Sequence, residues 1–239
     1  MSYQLTRARR DFESQLVLAT KELSTLYKLA RKKGYGERLM AAYFVFAYSQ
    51  LEVYIKSIVE DSIATINIFG PAFEKWPDLM LGYHLHKSEN LAADYLRFSH
   101  DADEGAVLEK VAQIARKIGS WSTGATGFRV ADASNFLEKK KYPSPKNLPQ
   151  LFRRLGVKQI WIVIGKAGKL NGELVLTSLN DLRTEIAHEG KVPPGFSLGD
   201  VKDRLEKMRR FVAALDRGVS NHFCSGVIPR MEWNKAMGI

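Results

Sequence analysis

The sequence predicts an all-α chain: a helical bundle with two long antiparallel N-terminal helices, a helix around residue 183, a C-terminal helix, and a helical or loop-rich insertion. Three observations predict it. Apolar residues recur at steps of three and four over long stretches, the period of one buried helical face. The first thirty-odd residues are strong helix formers closed by a glycine pair. The one β-branched stretch, Gln159 to Ile164, has no second strand to pair with.

Taken in order, Leu5 to Lys33 carries no internal Gly or Pro, and Gly34 and Gly36 then mark a turn. A second helix is expected from Glu37 to Asn67, because Ala41, Phe44, Tyr48, Leu51, Ile55, Ile58 and Ser62 keep the 3/4 spacing. Two long helices joined by a tight turn form an antiparallel hairpin. Between Gly70 and Lys146 the pattern breaks up around Pro71, Pro77, Pro143 and Pro145. Residues 70–146 therefore read as an elaborated insertion within a single domain spanning 1–239. Its clearest helix runs from Ala106 to Ile118, with Asp101 to Glu104 as caps. Tyr142 to Val157 reads as a loop followed by a short basic helix, and QIWIVI at Gln159 to Ile164 as helix or irregular structure. Val175, Leu179, Leu182 and Ile186 define a motif helix that stops at Gly190, before Pro193 and Pro194. Gly199 to about Phe223 is the closing helix, striped by Val201, Leu205, Met208, Val212, Leu215 and Val219, and is expected antiparallel to the motif helix.

The motif helix carries the chemistry. Its segment LNDLRTEIAHEG, Leu179 to Gly190, sets Arg183 and His188 five residues apart on the two edges of the polar face. Asn180, Thr184 and Ala187 lie between them, so the centre of that face is small and polar. A second copy of the helix fits closely there, and a two-fold dimer gathers two arginines and two histidines around one cleft. RNA supplies its own nucleophile, the 2′-hydroxyl. Cleavage then needs a base, an acid and positive charge against the phosphorane. Histidine titrates near neutrality and serves either proton-transfer role. Arginine offers a permanently charged planar fork to phosphate oxygens.

The same segment resembles the HEPN superfamily, and within it the RiboL-PSP-like HEPN family, whose nucleases carry an arginine followed after four to six residues by a histidine, commonly written RNxxAHG. Arg183, Ala187 and His188 match that pattern; Thr184 replaces the usual Asn, and Glu189 separates the histidine from Gly190. FAYSQLEVYIKSIVED, within the second helix, resembles the corresponding helix of several HEPN families, which often has an acidic residue at the position of Glu52. Turned inward, Glu52 holds Arg183 by a charge-assisted hydrogen bond; turned outward, it is a solvated helix residue. The Pro-Asn segment, short helix and Leu-Gly turn before residue 157 also resemble what precedes the catalytic helix in those relatives. The resemblance implies a HEPN-like bundle and a metal-independent endoribonuclease with no cofactor, catalytic Arg183 and His188, and support from Glu52, Asn180 and Thr184. It further implies a homodimer with a composite site and a role in toxin-antitoxin or antiphage defence, with an antitoxin or defence-system protein as a further partner. The alternative is a non-catalytic HEPN-like RNA-binding or scaffold protein. A DNA-binding regulator is the weakest reading, since no recognition-helix motif is evident.

Composition agrees with a polyanionic partner: 36 Lys and Arg against 26 Asp and Glu give a net charge of +10, and 45% hydrophobic residues suffice for a substantial core. Basic residues cluster at Arg7, Arg9, Arg10; Arg31, Lys32, Lys33; Lys139, Lys140, Lys141; Arg153, Arg154; and Lys207, Arg209, Arg210. Lys139 to Lys141 with Arg153 and Arg154 are the expected RNA-binding set; each cluster alone also suits a solvated helix face. Cys224 is the single cysteine, which rules out an internal disulfide and a Cys-rich zinc site and fits a reducing cytoplasm. The N-terminal residues are charged where a secretory signal is apolar, and the run Leu39 to Tyr48 is too short to span a bilayer, so no membrane is expected. No metal site is expected: His84 and His86 lack a third ligand, and His100, Asp101 and Asp103 suit a helix start. Gly124 to Gly127 lacks the Lys-Ser/Thr of a P-loop, and Arg217 and His222 repeat the five-residue spacing without the Ala-His-x-Gly context.

Overall fold

The computed structural model describes residues 2–69, 75–87, 105, 108, 109, 112, 131–139 and 143–238, and among them every regular element is helical. The helices are α1 (Arg7–Lys32), α2 (Gly36–Phe69), α3 (Asp78–Lys87), α4 (Ala133–Leu137), α5 (Asn147–Arg154), α6 (Ile160–Gly168), α7 (Gly172–Glu189), α8 (Leu198–Cys224) and α9 (Arg230–Met237). The expected helix from Ala106 to Ile118 lies outside the described residues apart from Leu108, Glu109 and Ala112, and so do its caps at Asp101 to Glu104 and the tract Gly124 to Gly127.

Helix α1 starts where the Thr6 hydroxyl accepts the Arg9 amide at 3.2 Å, and it buries Phe12, Leu16, Ala19 and Leu23 along one stripe. The chain reverses through Gly34 into α2, whose seven predicted stripe residues from Ala41 to Ser62 are all buried. Phe12 and Tyr54 meet across the hairpin with ring centroids 6.0 Å apart. Helix α8 lies across both arms and closes the core from the other side. Its start is fixed by a reciprocal pair of bonds between Ser197 and Asp200, and its six predicted stripe residues are buried. Asp216 on α8 is buried too, and burial raises its proton affinity. Thr6 Oγ1 donates to it at 2.5 Å, Tyr54 at 3.3 Å, and Tyr3 also donates, so the carboxylate is surrounded by hydroxyl donors that tie the N-terminal segment to α2 and α8.

QIWIVI forms the first turns of α6, which lies on α8 so closely that a Cβ on Gly218 would sit 2.5 Å from Val163 Cγ1. With no partner strand, burial of Ile160 and Ile164 against α8 decides the conformation. Helix α9 was not expected; its Trp233 is fully buried and stacks on Phe223 with centroids 5.1 Å apart. Among the described residues no helix is long and apolar enough to cross a membrane.

Candidate functional site

Helix α7 begins at Asn171, whose side chain accepts the Leu174 amide at 3.0 Å, and ends at Gly190, where φ of 67° places the backbone in the left-handed region. Leu176, Leu179, Leu182 and Ile186 are buried against the core. The stripe therefore starts at Leu176, and Val175, expected to lead it, is only partly buried at its edge. That rotation leaves Arg183 half-buried and His188 exposed, five residues or about 7.5 Å of axial rise apart and about 140° around the helix.

Helix α2 supplies the neighbours. Glu52 is half-buried, which raises its carboxyl proton affinity, and the Arg183 guanidinium pulls it back down; the two side chains thus lie within electrostatic reach of each other. Tyr48 is buried one turn earlier and donates its hydroxyl proton to the Pro143 carbonyl at 2.7 Å, with the Asn180 amide 3.3 Å away. A phenol has one proton to give, so the short bond to Pro143 takes it and the Asn180 Oδ1 is a weaker second acceptor at 3.3 Å. Burial and the Glu52 charge raise the Tyr48 proton affinity while Arg183 lowers it. Tyr48, Glu52, Asn180 and Arg183 accordingly form one cluster linking α2, α7 and the segment entering α5.

Thr184 is exposed and donates its hydroxyl to the Asn180 carbonyl at 2.9 Å, a bond within its own helix. The His188 ring is exposed and has no protein hydrogen-bond partner among the described residues. Sequence reasoning placed Tyr48 on the core stripe and missed its hydroxyl. The available signal was tyrosine in place of phenylalanine at a buried position, where the O–H must find a partner.

The expected RNA-binding residues separate. Lys139 is exposed, has a left-handed backbone (φ 58°), and pairs with Glu138 at 3.8 Å. It shares with Glu52, Val53, Ile55 and Lys56 a groove of about 620 Å³ between α2 and α4. Lys140 and Lys141 lie outside the described residues. Arg153 is half-buried. Arg154 corrects the expectation: it is only 8% exposed, donates to the Phe136 and Glu138 carbonyls at 2.8 Å each, and lies 4.6 Å over the Tyr83 ring. Those two bonds close the C-terminal end of α4 and hold the guanidinium inside.

The remaining histidines have structural settings. His84 packs on Trp76 and His86 on Tyr83, and no group of three metal-type ligands occurs among the described residues. His100, Asp101 and Asp103 lie outside them. Of the second Arg/His pair, Arg217 lies over the Tyr3 ring, while His222 is largely buried and bonds the Leu155 backbone.

Compared with known proteins, the chain matches a family model described as RiboL-PSP-HEPN over residues 14–221, a span that includes Tyr48, Glu52, Arg183 and His188. No curated protein and no solved structure matches it.

Proposed function

The chain belongs to the RiboL-PSP-HEPN family, and on that premise we propose that it is an endoribonuclease whose two-fold dimer cleaves RNA by 2′-hydroxyl attack without a metal. His188 of one protomer removes the 2′-hydroxyl proton, and the freed oxygen attacks the adjacent phosphorus. Arg183 from each protomer holds the non-bridging oxygens as charge builds on the phosphorane. Protonated His188 of the second protomer gives its proton to the departing 5′-oxygen. The products are a 2′,3′-cyclic phosphate and a 5′-hydroxyl, so protons and bonds balance. Glu52 keeps the guanidinium in place, Tyr48 and Asn180 brace the helix beneath it, and Lys139, exposed beside Glu138, is the member of the expected RNA-binding set nearest the Glu52 groove.

One observation carries this reading: at the two edges of one polar helix face stand a half-buried Arg183 within electrostatic reach of Glu52 and an exposed His188, with Asn180, Thr184 and Ala187 between them. The small centre of that face allows a second copy to approach, which the 140° separation within one chain requires. The test is digestion of single-stranded RNA in chelator. Wild-type protein is expected to leave cyclic-phosphate ends, while Arg183→Ala and His188→Ala each lose at least about 100-fold in rate with unchanged helicity. Undiminished cleavage of fully 2′-O-methylated RNA would exclude the mechanism. A role in toxin-antitoxin or antiphage defence in the cytoplasm belongs to the same proposal; it predicts growth arrest on expression that His188→Ala relieves.

A non-catalytic RNA-binding role is favoured by one feature: the Thr184 hydroxyl is spent on its own helix, where the family pattern carries Asn. That reading predicts that His188→Ala changes no RNA chemistry at all.

A further inference from the structure

We propose that the tip of the α1–α2 hairpin, with Lys191 beside it, is an RNA-backbone track running from the motif helix; the proposal rests on the RNA-directed reading above and assigns where the strand continues beyond the reacting phosphate. Between Leu23 and Leu51 the sequence has Lys28, Arg31, Lys32, Lys33 and Arg38 against one acid, Glu37. All five cations are exposed, and none is bridged to a carboxylate among the described residues. Other basic clusters differ. Arg7 pairs with Asp61, Arg9 with Glu13, Lys207 with Asp203, Arg209 with Glu206, and Arg154 is buried.

The tip lies close to the candidate site. Lys191 reaches Glu37 at 3.9 Å, which engages the single acid and sets the segment just after α7 beside the first turn of α2. Lys191 follows His188 by three residues, at most about 10 Å of chain. At the other end of this stretch Tyr48 meets Asn180 at 3.3 Å and Arg183 lies within electrostatic reach of Glu52, which is fifteen residues or about 22 Å along α2 from Glu37. The second half of α7 therefore runs from the middle of α2 toward the hairpin tip, with His188 on the way.

Helix energetics account for only part of the cluster. Arg31 and Lys32 suit the C-terminal end of α1. Arg38 does not have that excuse: it stands in the first turn of α2, where the helix dipole disfavours a cation, so it adds to the positive end of that helix. Tyr35, 40% exposed in the turn, presents a ring on which an unpaired base can stack. Unpaired cations around an exposed aromatic ring suit single-stranded RNA, whose phosphates and bases use both.

The experiment uses the full chain in a His188→Ala background, so that RNA stays intact, and measures the dissociation constant of a labelled single-stranded 20-nucleotide RNA across a salt series. The substitutions Arg31→Gln, Lys32→Gln and Lys33→Gln together are expected to weaken binding at least about tenfold at 0.1 M salt and to reduce the log–log salt slope by about 2. Tyr35→Ala is expected to weaken it about 5- to 100-fold with the slope unchanged. A control combining Lys202→Gln, Lys207→Gln and Arg210→Gln on α8 leaves both quantities near the parent's. An unchanged slope in the tip variant, or an equal loss in the α8 control, overturns the proposal. Equal, tip-dependent capture of poly-glutamate would overturn it in favour of an acidic protein partner. Cleavage by the wild-type chain is scored separately, so a failed nuclease reading and a failed tip assignment give different results.

Discussion

At the scale of single residues, side-chain direction decides which polar groups are functional candidates and which are structural. Arg183 and His222 are both polar members of Arg/His pairs at the same spacing, yet Arg183 is half-buried within electrostatic reach of Glu52 and His222 is largely enclosed. His222 donates toward the Leu155 carbonyl while its Nε2 is buried without a partner among the described residues, and burial holds its proton affinity below the usual imidazole range. The folded state thus favours neutral His222, and the unfolded chain binds the extra proton first as pH falls. Its contribution to stability is complete above the unfolded pKa near 6.5 and declines as pH drops through the window below that value. Urea unfolding at pH 7 and pH 5 should show the wild-type chain losing more stability than His222→Gln, by no more than about 1.4 kcal/mol per pH unit for one proton. An equal loss in both would show that His222 is solvated in the native state. The five-residue spacing made Arg183 with His188 and Arg217 with His222 look alike; the flanking Ala-His-x-Gly context separated them, and burial of His222 supplies the physical reason. Glu52 and Tyr48 were harder to read, because whether a helix residue at the edge of a stripe turns inward depends on which other helix covers it.

At the scale of elements, long apolar stripes were legible and short elements were not. Helices α2 and α8 bury every stripe residue expected of them, since periodicity sustained over many turns averages out local exceptions. Helix α9 has eight residues, with Trp233 and Met237 four apart, too brief a pattern to stand out before packing is known. Helix α6 was ambiguous because β-branched residues suit a strand as well as a buried turn; its contact with α8 settles the matter. That contact depends on Gly218, since a methyl group there would meet Val163 Cγ1 at 2.5 Å. Gly218→Ala is expected to destabilise the fold by about 1–3 kcal/mol through overpacking, measurable as a lowered midpoint in urea with the slope retained. A neutral result would mean that α6 shifts freely on α8. Because α6 also packs on α7, the same variant is expected to disturb the motif helix from beneath.

At the scale of the whole molecule, the arrangement brings one α7 surface, edged by Arg183 and His188, to the outside of a bundle whose hairpin tip is strongly cationic. Each motif helix carries one histidine, His188, beside its Arg183, so the proposed cleavage with two proton-transfer histidines takes the second from another copy. The net charge of +10 points to a polyanion but not to a location; ion pairs at Arg7, Arg9, Lys207 and Arg209 and the burial of Arg154 leave the hairpin tip as the group of exposed cations without carboxylate partners among the described residues. The most direct measurement is the RNA cleavage rate, in chelator, of wild-type chains co-expressed with an increasing excess of His188→Ala chains. If each site needs the histidines of both protomers, activity follows the square of the wild-type fraction, falling to about 1% when one chain in ten is wild type. Activity that falls only in proportion, to about 10%, would mean that each chain cuts alone and would contradict the composite site.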